Sequence, residues 1–226
     1  MYKRQVLRLV YGPAALLLCL IPLGLALPPL PDVTATVAEL LEAGRVPNLV
    51  ATVILYTRLY DTVAEVVVFT LASIGVRWIF SGDPLQSRIR ALQDAPSVVL
   101  CQLGATVCAL VAVELALRGH LSPGGGFAAG VAGGTAIGLL LISGSLRLVD
   151  RFYNRYRADL WEKAAVVLFL LLAFLSLEGL GPAMGGRFGA IASGGWIPLL
   201  NGLVALKVTL GSWAMVQLLV RYRGLL

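Results

Sequence analysis

The chain has 226 residues, of which 58% are hydrophobic and only 13% charged. Soluble domains carry roughly 25% charged residues and about 45–50% apolar ones, so this composition excludes an ordinary soluble domain and describes a chain dissolved in lipid. The formal net charge of +6 has no soluble fold beside it to form a nucleic-acid surface, and it reads instead as a topology signal.

Six apolar segments follow one another, at roughly residues 9–30, 47–80, 96–118, 123–146, 163–183 and 197–220. A spanning helix needs about 20 apolar residues, so the expectation is an all-α integral membrane bundle of about six transmembrane helices. The first segment has a basic start, an apolar run and then "LALPPLPD". Its apolar part is longer than a signal-peptide core, and Pro28, Pro29 and Pro31 suit a helix exit, so it reads as a retained helix.

The second segment admits two readings. It is one long tilted helix from Pro47, or a short lateral piece from Asn48 to Thr57 followed by a span from Asp61. It also holds the densest charge in any apolar segment. Arg58, Asp61, Thr62 and Glu65 fall at i, i+3, i+4 and i+7, which on a helix makes one polar stripe. Charged residues inside membrane segments are costly and mark ion pathways by default. Arg58 is placed to neutralise Asp61 by a charge-assisted contact, leaving Glu65 one turn further on as a carboxylate able to load a proton or a sodium ion. The alternative is a buried ion cluster that only locks helices together.

In the third segment Glu114 and Arg118 are spaced i, i+4, either an interfacial salt bridge or part of a pathway. Cys19, Cys101 and Cys108 lie in apolar segments without a C-x-x-C pair. They read as small buried residues and imply no metal site.

The fourth segment opens with "GHLSPGGGFAAGVAGGTAIG". It lacks the G-x-x-x-x-G-K-[ST] of a phosphate loop and the last glycine of a dinucleotide fingerprint. Gly126, Gly130, Gly134 and Gly138 recur every four residues, with Gly133 beside them. On a helix this is a smooth face that lets a neighbouring backbone come close in a bilayer. Pro123 suits a first helical turn, and Gly124 and Gly125 allow an unusual backbone with free amides at the entrance. The stretch serves packing alone, or the glycine turn and His120, the single histidine, line a water-accessible mouth.

Glu162 and Lys163 read as anchors at the start of the fifth segment, and Glu178 as interfacial at its end. In the sixth, Lys207 lies near the middle of "IPLLNGLVALKVTLGSWAM", nearly two turns after Asn201. A lysine at this depth cannot easily snorkel and requires a carboxylate, a carbonyl or water, as a proton relay or as a salt bridge to a neighbouring subunit. Trp78, Trp161, Trp196 and Trp213 lie near segment ends and read as interface anchors. With six alternating helices, thirteen of the 18 Lys and Arg fall on the side that carries both termini, against Arg45, Arg118 and Arg187 opposite. The positive-inside rule then puts both termini in the cytoplasm.

"GHLSPGGGF" before a glycine-rich helix, and "ASGGWIPLLNGLVALKV" after it, resemble the MnhB family of the multisubunit Mrp-type sodium/proton antiporters, over residues 91–226. The earlier "NLVATVILYTRLYDTVAEVVVFTLASIGV" resembles the C-terminal helices of the large MnhA-type component of the same antiporters, with Ala64 where that component has the glycine of Asp-Thr-x-Gly-Glu. The chain thus resembles a fusion of a two-helix piece, residues 1–90, with a four-helix MnhB-like domain, residues 91–226. Homologous small chains also occur in membrane-bound hydrogenases and related ferredoxin-linked complexes.

The resemblance implies an ion-translocation module in the cell's inner membrane, without redox cofactors of its own and obligately bound to other antiporter-type subunits. Its ions would be Na+ and H+. It places the residue matching Glu65 in the proposed cation path, and those matching Pro123 and Phe127 in the motif tied to activity. Arg58, Asp61, Thr62, Glu65, Glu114, His120 and Lys207 are therefore the candidate translocation residues. Pro123, Gly124, Gly125, Gly126, Phe127, Gly130 and Asn201 form the structural motif. A redox-driven membrane arm and a purely structural assembly role remain as alternatives.

Overall fold

A computed structural model describes residues 13, 16, 20, 33–86, 89, 91–180 and 187–224. The segment expected at 9–30 therefore lies almost wholly outside the described residues. The chain divides into two compact units, 1–36 and 37–226, and the second carries everything discussed below except the first turn of the helix that begins at Val33.

All the regular structure among the described residues is helical. Helix α1 spans Val33–Gly44, and α2 is a single turn at Leu49–Thr52. A π-helical turn at Val53–Thr57 follows, then α3 (Leu59–Phe80), α4 (Ala95–Arg118) and α5 (Gly126–Ile142). The chain closes with α6 (Leu146–Arg155), α7 (Ala158–Leu177) and α8 (Ile197–Arg223). Four of these, α3, α4, α7 and α8, are long and apolar enough to cross a membrane, and α5 is a shorter apolar helix. The sequence reading contains neither α1 nor α6; at 12 residues α1 is too short to register as a span, and α6 is too polar.

The second apolar segment is in two pieces. The break is at Arg58, whose φ of −123° and ψ of 36° leave the helical region. The π turn ends there, with Arg58 N–H donating to the Val53 carbonyl at 2.7 Å. Thr62 repairs the discontinuity: its Oγ1 donates to the Ile54 carbonyl at 2.6 Å, eight residues back. In lipid every backbone polar group needs a partner, and a side chain that supplies one lets the helix stay broken.

Helix α8 is the axis of the bundle. It packs against α5 most extensively, then α7 and α3, and also touches α4. Half of its apolar window is buried, against only 6% for α4, which lies on the outside over α5. The close approach of α5 to α8 follows from the glycine row. A Cβ on Gly130 would collide with Val208, one on Gly126 with the Asn201 carbonyl, and one on Gly134 with Ser212 at 2.7 Å. Gly138 faces open space, so the contact ends one turn earlier than the four-residue repeat. The main core lies where α3, α7 and α8 meet, around Val66, Phe169, Leu172, Leu200, Val204 and Val208.

Candidate functional site

The glycine turn joins α4 to α5. Gly124 (φ +140°) and Gly125 (φ +96°) both have backbones that residues with a Cβ rarely adopt. Two asparagines hold the turn from opposite sides. Asn201 Nδ2 donates to the carbonyls of Ala116 at 2.8 Å and Leu115 at 3.3 Å. Asn48 Nδ2 donates to the carbonyls of Gly119 at 2.7 Å and Ser122 at 2.8 Å. The last carbonyls of a helix have no intrahelical donor, so these amides complete the end of α4. The Asn48 oxygen meanwhile caps α2 by accepting from Val50 N–H and Ala51 N–H. One side chain thereby ties the broken-helix segment to the glycine turn.

The two features enclose a groove of about 500 Å³, lined by Ile54, Thr62, Glu65, Phe69, Gly124–Phe127 and Asn201 among others. Thr62 is buried, whereas Glu65 is exposed and has no ion-pair partner among the described residues. The amino end of α5 borders the same groove, and the first amides of a helix carry partial positive charge. A carboxylate and the amino end of a helix thus share one concavity, open to the surface of the chain.

The groove ends at an aromatic pair. Phe69 and Phe127 meet edge to face, with centroids 6.2 Å apart. Phe69 also meets Lys207, whose Nζ lies 5.1 Å from the ring centroid. Lys207 is 1% exposed and its Nζ is 2.5 Å from Glu162 Oε1. Glu162 Oε2 in turn lies 3.5 Å from Arg77. Buried charges in low dielectric require this kind of pairing.

Glu162 is not the interfacial anchor that its position beside Lys163 suggests. Helix α7 begins at Ala158, so Glu162 lies in its second turn and faces α8. Lys207 finds its carboxylate within its own chain. Trp213 differs in the same way: its indole is packed edge to face on Tyr153 at 5.2 Å, with Nε1 buried.

The other expected site residues lie apart from the groove lining. Arg58 and Asp61 pair at 2.6 Å, both substantially exposed. Arg58 is the cap of α3 rather than part of its face, so the predicted four-residue stripe divides, and Thr62 and Glu65 alone reach the groove. Glu114 and Arg118 pair at 2.9 Å on the exposed side of α4. Pro123 is exposed and lines a smaller cleft with Asn48. His120 is fully buried, and neither ring nitrogen has a hydrogen-bond partner of good geometry. Burial holds its imidazole below the ordinary histidine value, against the opposing influence of the backbone at Ile191 and Ala190.

Sequence reasoning misses Asn48, Phe69 and Glu162. For Asn48 a signal exists, since an asparagine before an apolar run is a helix N-cap pattern. Phe69 and Glu162 carry none.

Among curated proteins no match was found. One solved structure is similar over nearly the whole length: a chain of the membrane-bound sulfane sulfur reductase (MBS), an archaeal respiratory membrane complex. The two are 21% identical, with a TM-score of 0.64, over 98% of this chain and 99% of that one. At this identity the likeness is one of fold. The family model for the domain related to the MnhB subunit of Na+/H+ antiporters matches residues 96–214. That span is more than half of the chain and includes the glycine turn, the α5–α8 contact and the Lys207–Glu162 pair, so the chain belongs to the MnhB-related family.

Proposed function

We propose that this chain is a membrane subunit of an Mrp-type cation/proton antiporter complex, where it contributes charged residues to a Na+ or H+ path. One observation carries the reading: Phe69 is shared by the groove that holds Glu65 and by the Lys207–Glu162–Arg77 cluster, lining the first and lying 5.1 Å from Lys207 Nζ of the second. An acid that lacks an internal partner suits exchange of a cation. A lysine and a glutamate at salt-bridge distance suit passing a proton onward.

The reading includes six spans with both termini cytoplasmic, and a two-helix piece, 1–90, joined to the MnhB-like part, 91–226. In that orientation Glu65 is about 9 Å inward from the outer end of α3, and Lys207 about 15 Å inward from that of α8, at 1.5 Å per residue. Glu162 and Arg77 lie near the cytoplasmic ends of α7 and α3. The charged residues then form a discontinuous ladder across the bilayer, with the aromatic pair as its one apolar rung. Other antiporter-type subunits cover the open side of the groove and supply what this chain lacks. No cofactor of its own is needed.

The test is Glu65→Gln in the assembled complex, reconstituted in vesicles. Preserved assembly with lost Na+/H+ exchange supports the path; unchanged exchange defeats it.

A second reading has a specific observation behind it. The fold likeness to a chain of a respiratory complex favours a membrane arm in which redox chemistry elsewhere drives the same helices. Co-purification separates the two: iron–sulfur subunits in the intact complex favour the redox arm, and antiporter subunits alone favour the stand-alone exchanger.

A further inference from the structure

Helix α6 has the sequence LRLVDRFYNR and joins α5 to α7. The helix and the residue that ends it, Tyr156, sort into two neighbouring stripes. Arg147, Arg151 and Arg155 recur every four positions, and beside them run Leu148, Phe152 and Tyr156. All six are exposed. A short helix with one basic and one apolar face lies in the plane of a membrane interface.

The apolar stripe does not stand alone. It forms one wall of a cleft of about 430 Å³ whose other walls include Trp161 of α7 and Leu206 and Leu210 of α8. The Phe152 and Tyr156 rings stack with centroids 5.8 Å apart along its edge. Trp161 is 59% exposed at the start of a span, the level of a headgroup layer.

The basic stripe is electrostatically free. The acids closest to it in sequence are already engaged: Asp150 accepts from Gln217 and pairs with Arg221 at 3.0 Å, and Asp159 pairs with Lys163 at 3.6 Å. Among the described residues no carboxylate pairs with Arg147, Arg151, Arg155 or Arg157. The surface therefore calls for one occupant with two parts, an anionic group over the arginines and a hydrocarbon tail in the adjoining cleft.

We infer that the cleft between α6, α7 and α8 binds an anionic glycerophospholipid, its acyl chain against Leu148, Phe152 and Leu206 and its phosphate on Arg147, Arg151 and Arg155. An arginine fork fits phosphate oxygens in a bidentate manner. A zwitterionic lipid offers the same tail without the net charge. This site goes beyond the ion path and requires only that the chain lies in a membrane.

The experiment uses the whole complex, purified in detergent, delipidated, and offered phosphatidylglycerol or phosphatidylcholine of identical acyl chains. Bound lipid is read by native mass spectrometry. Phosphatidylglycerol is expected to be retained in preference to phosphatidylcholine. The triple variant R147Q/R151Q/R155Q is expected to weaken that retention on the order of 100-fold, and the arginine-to-lysine triple variant, which keeps the charge and loses the fork, to fall between the two. Leu206→Trp, which fills the cleft and leaves the arginines intact, is expected to lower retention with assembly unchanged. Equal retention of the two lipids overturns the inference, as does unchanged binding by the glutamine variant. A photoreactive residue at position 148 that crosslinks to a neighbouring protein in place of lipid also overturns it.

Discussion

Lys207 Nζ lies 2.5 Å from Glu162 Oε1, and the two side chains are 1% and 7% exposed. The partners are 45 residues apart in sequence and belong to two of the helices that enclose the core. The pair is asymmetric. Glu162 also faces Arg77 at 3.5 Å, whereas among the described residues Lys207 has no second ion-pair partner and rests on the Phe69 ring.

That asymmetry predicts unequal costs. Glu162→Gln strands a buried ammonium, so it destabilises the assembled protein by about 3–5 kcal/mol, the usual cost of leaving one buried charge unpaired. Lys207→Met leaves Glu162 its second cation and costs less. The double variant recovers part of the loss. Thermal unfolding of the four proteins gives the order, and equal losses in the two single variants would contradict it.

The glycine row makes a prediction at two positions that the four-residue repeat treats alike. Gly130→Ala drives a Cβ into Val208 and within 3.1 Å of the Ala205 carbonyl, whereas a Cβ at Gly138 meets nothing within 4 Å. Overpacking of this kind costs about 1–3 kcal/mol. Gly130→Ala should therefore loosen α5 from α8, and Gly138→Ala should not. Disulfide trapping between cysteines placed on the two helices reports the difference.

Thr62 tests the broken helix. Replacement by valine keeps the shape and removes the hydroxyl that serves the Ile54 carbonyl. In lipid an acceptor that loses its donor has no water to replace it, at a cost of about 1–3 kcal/mol. Thr62→Val is expected to lower the unfolding midpoint, and Thr62→Ser to restore it. Hydrogen exchange at residues 53–59 localises the effect; a uniform change along the chain would argue against a role at the break.

His120 predicts a pH dependence. Its folded value is held down by burial, so between that value and about 6.5 the unfolded chain binds the proton and the folded one does not. Stability then rises with pH across this window and declines as acid is added below about pH 6.5. The loss should concentrate at the glycine turn, which follows His120 in the chain. His120→Phe is expected to flatten the pH profile of hydrogen exchange at residues 119–125. Parallel profiles for the two proteins would show that another group is responsible.

Much of the site is legible in the primary structure. Glu65, Thr62, Lys207 and Asn201 stand out because polar groups in apolar runs are costly, and Gly126, Gly130 and Gly134 because they repeat at helical spacing. The spans α4 and α8 are expected to within a few residues, since length and hydropathy report directly on bilayer thickness. The amphipathic α6 is hidden because it reads as a polar loop until its two stripes are wound on a helix.

Composition and chain order by themselves determined that this is a lipid-embedded helical protein with a few misplaced charges, because the cost of a charge in hydrocarbon depends on the residue and its neighbours along the helix. Only the tertiary structure decided who meets whom. Glu162 beside Lys163 has the same pattern whether it reaches for a headgroup or turns inward to Lys207. In a bilayer the outward faces are as apolar as the core, so hydrophobic periodicity does not say which side of a helix is buried. Close packing at the glycine row brings α8 against α5, and α7 and α3 pack on the same helix. That arrangement leaves Phe69 shared by the groove of Glu65 and by Lys207.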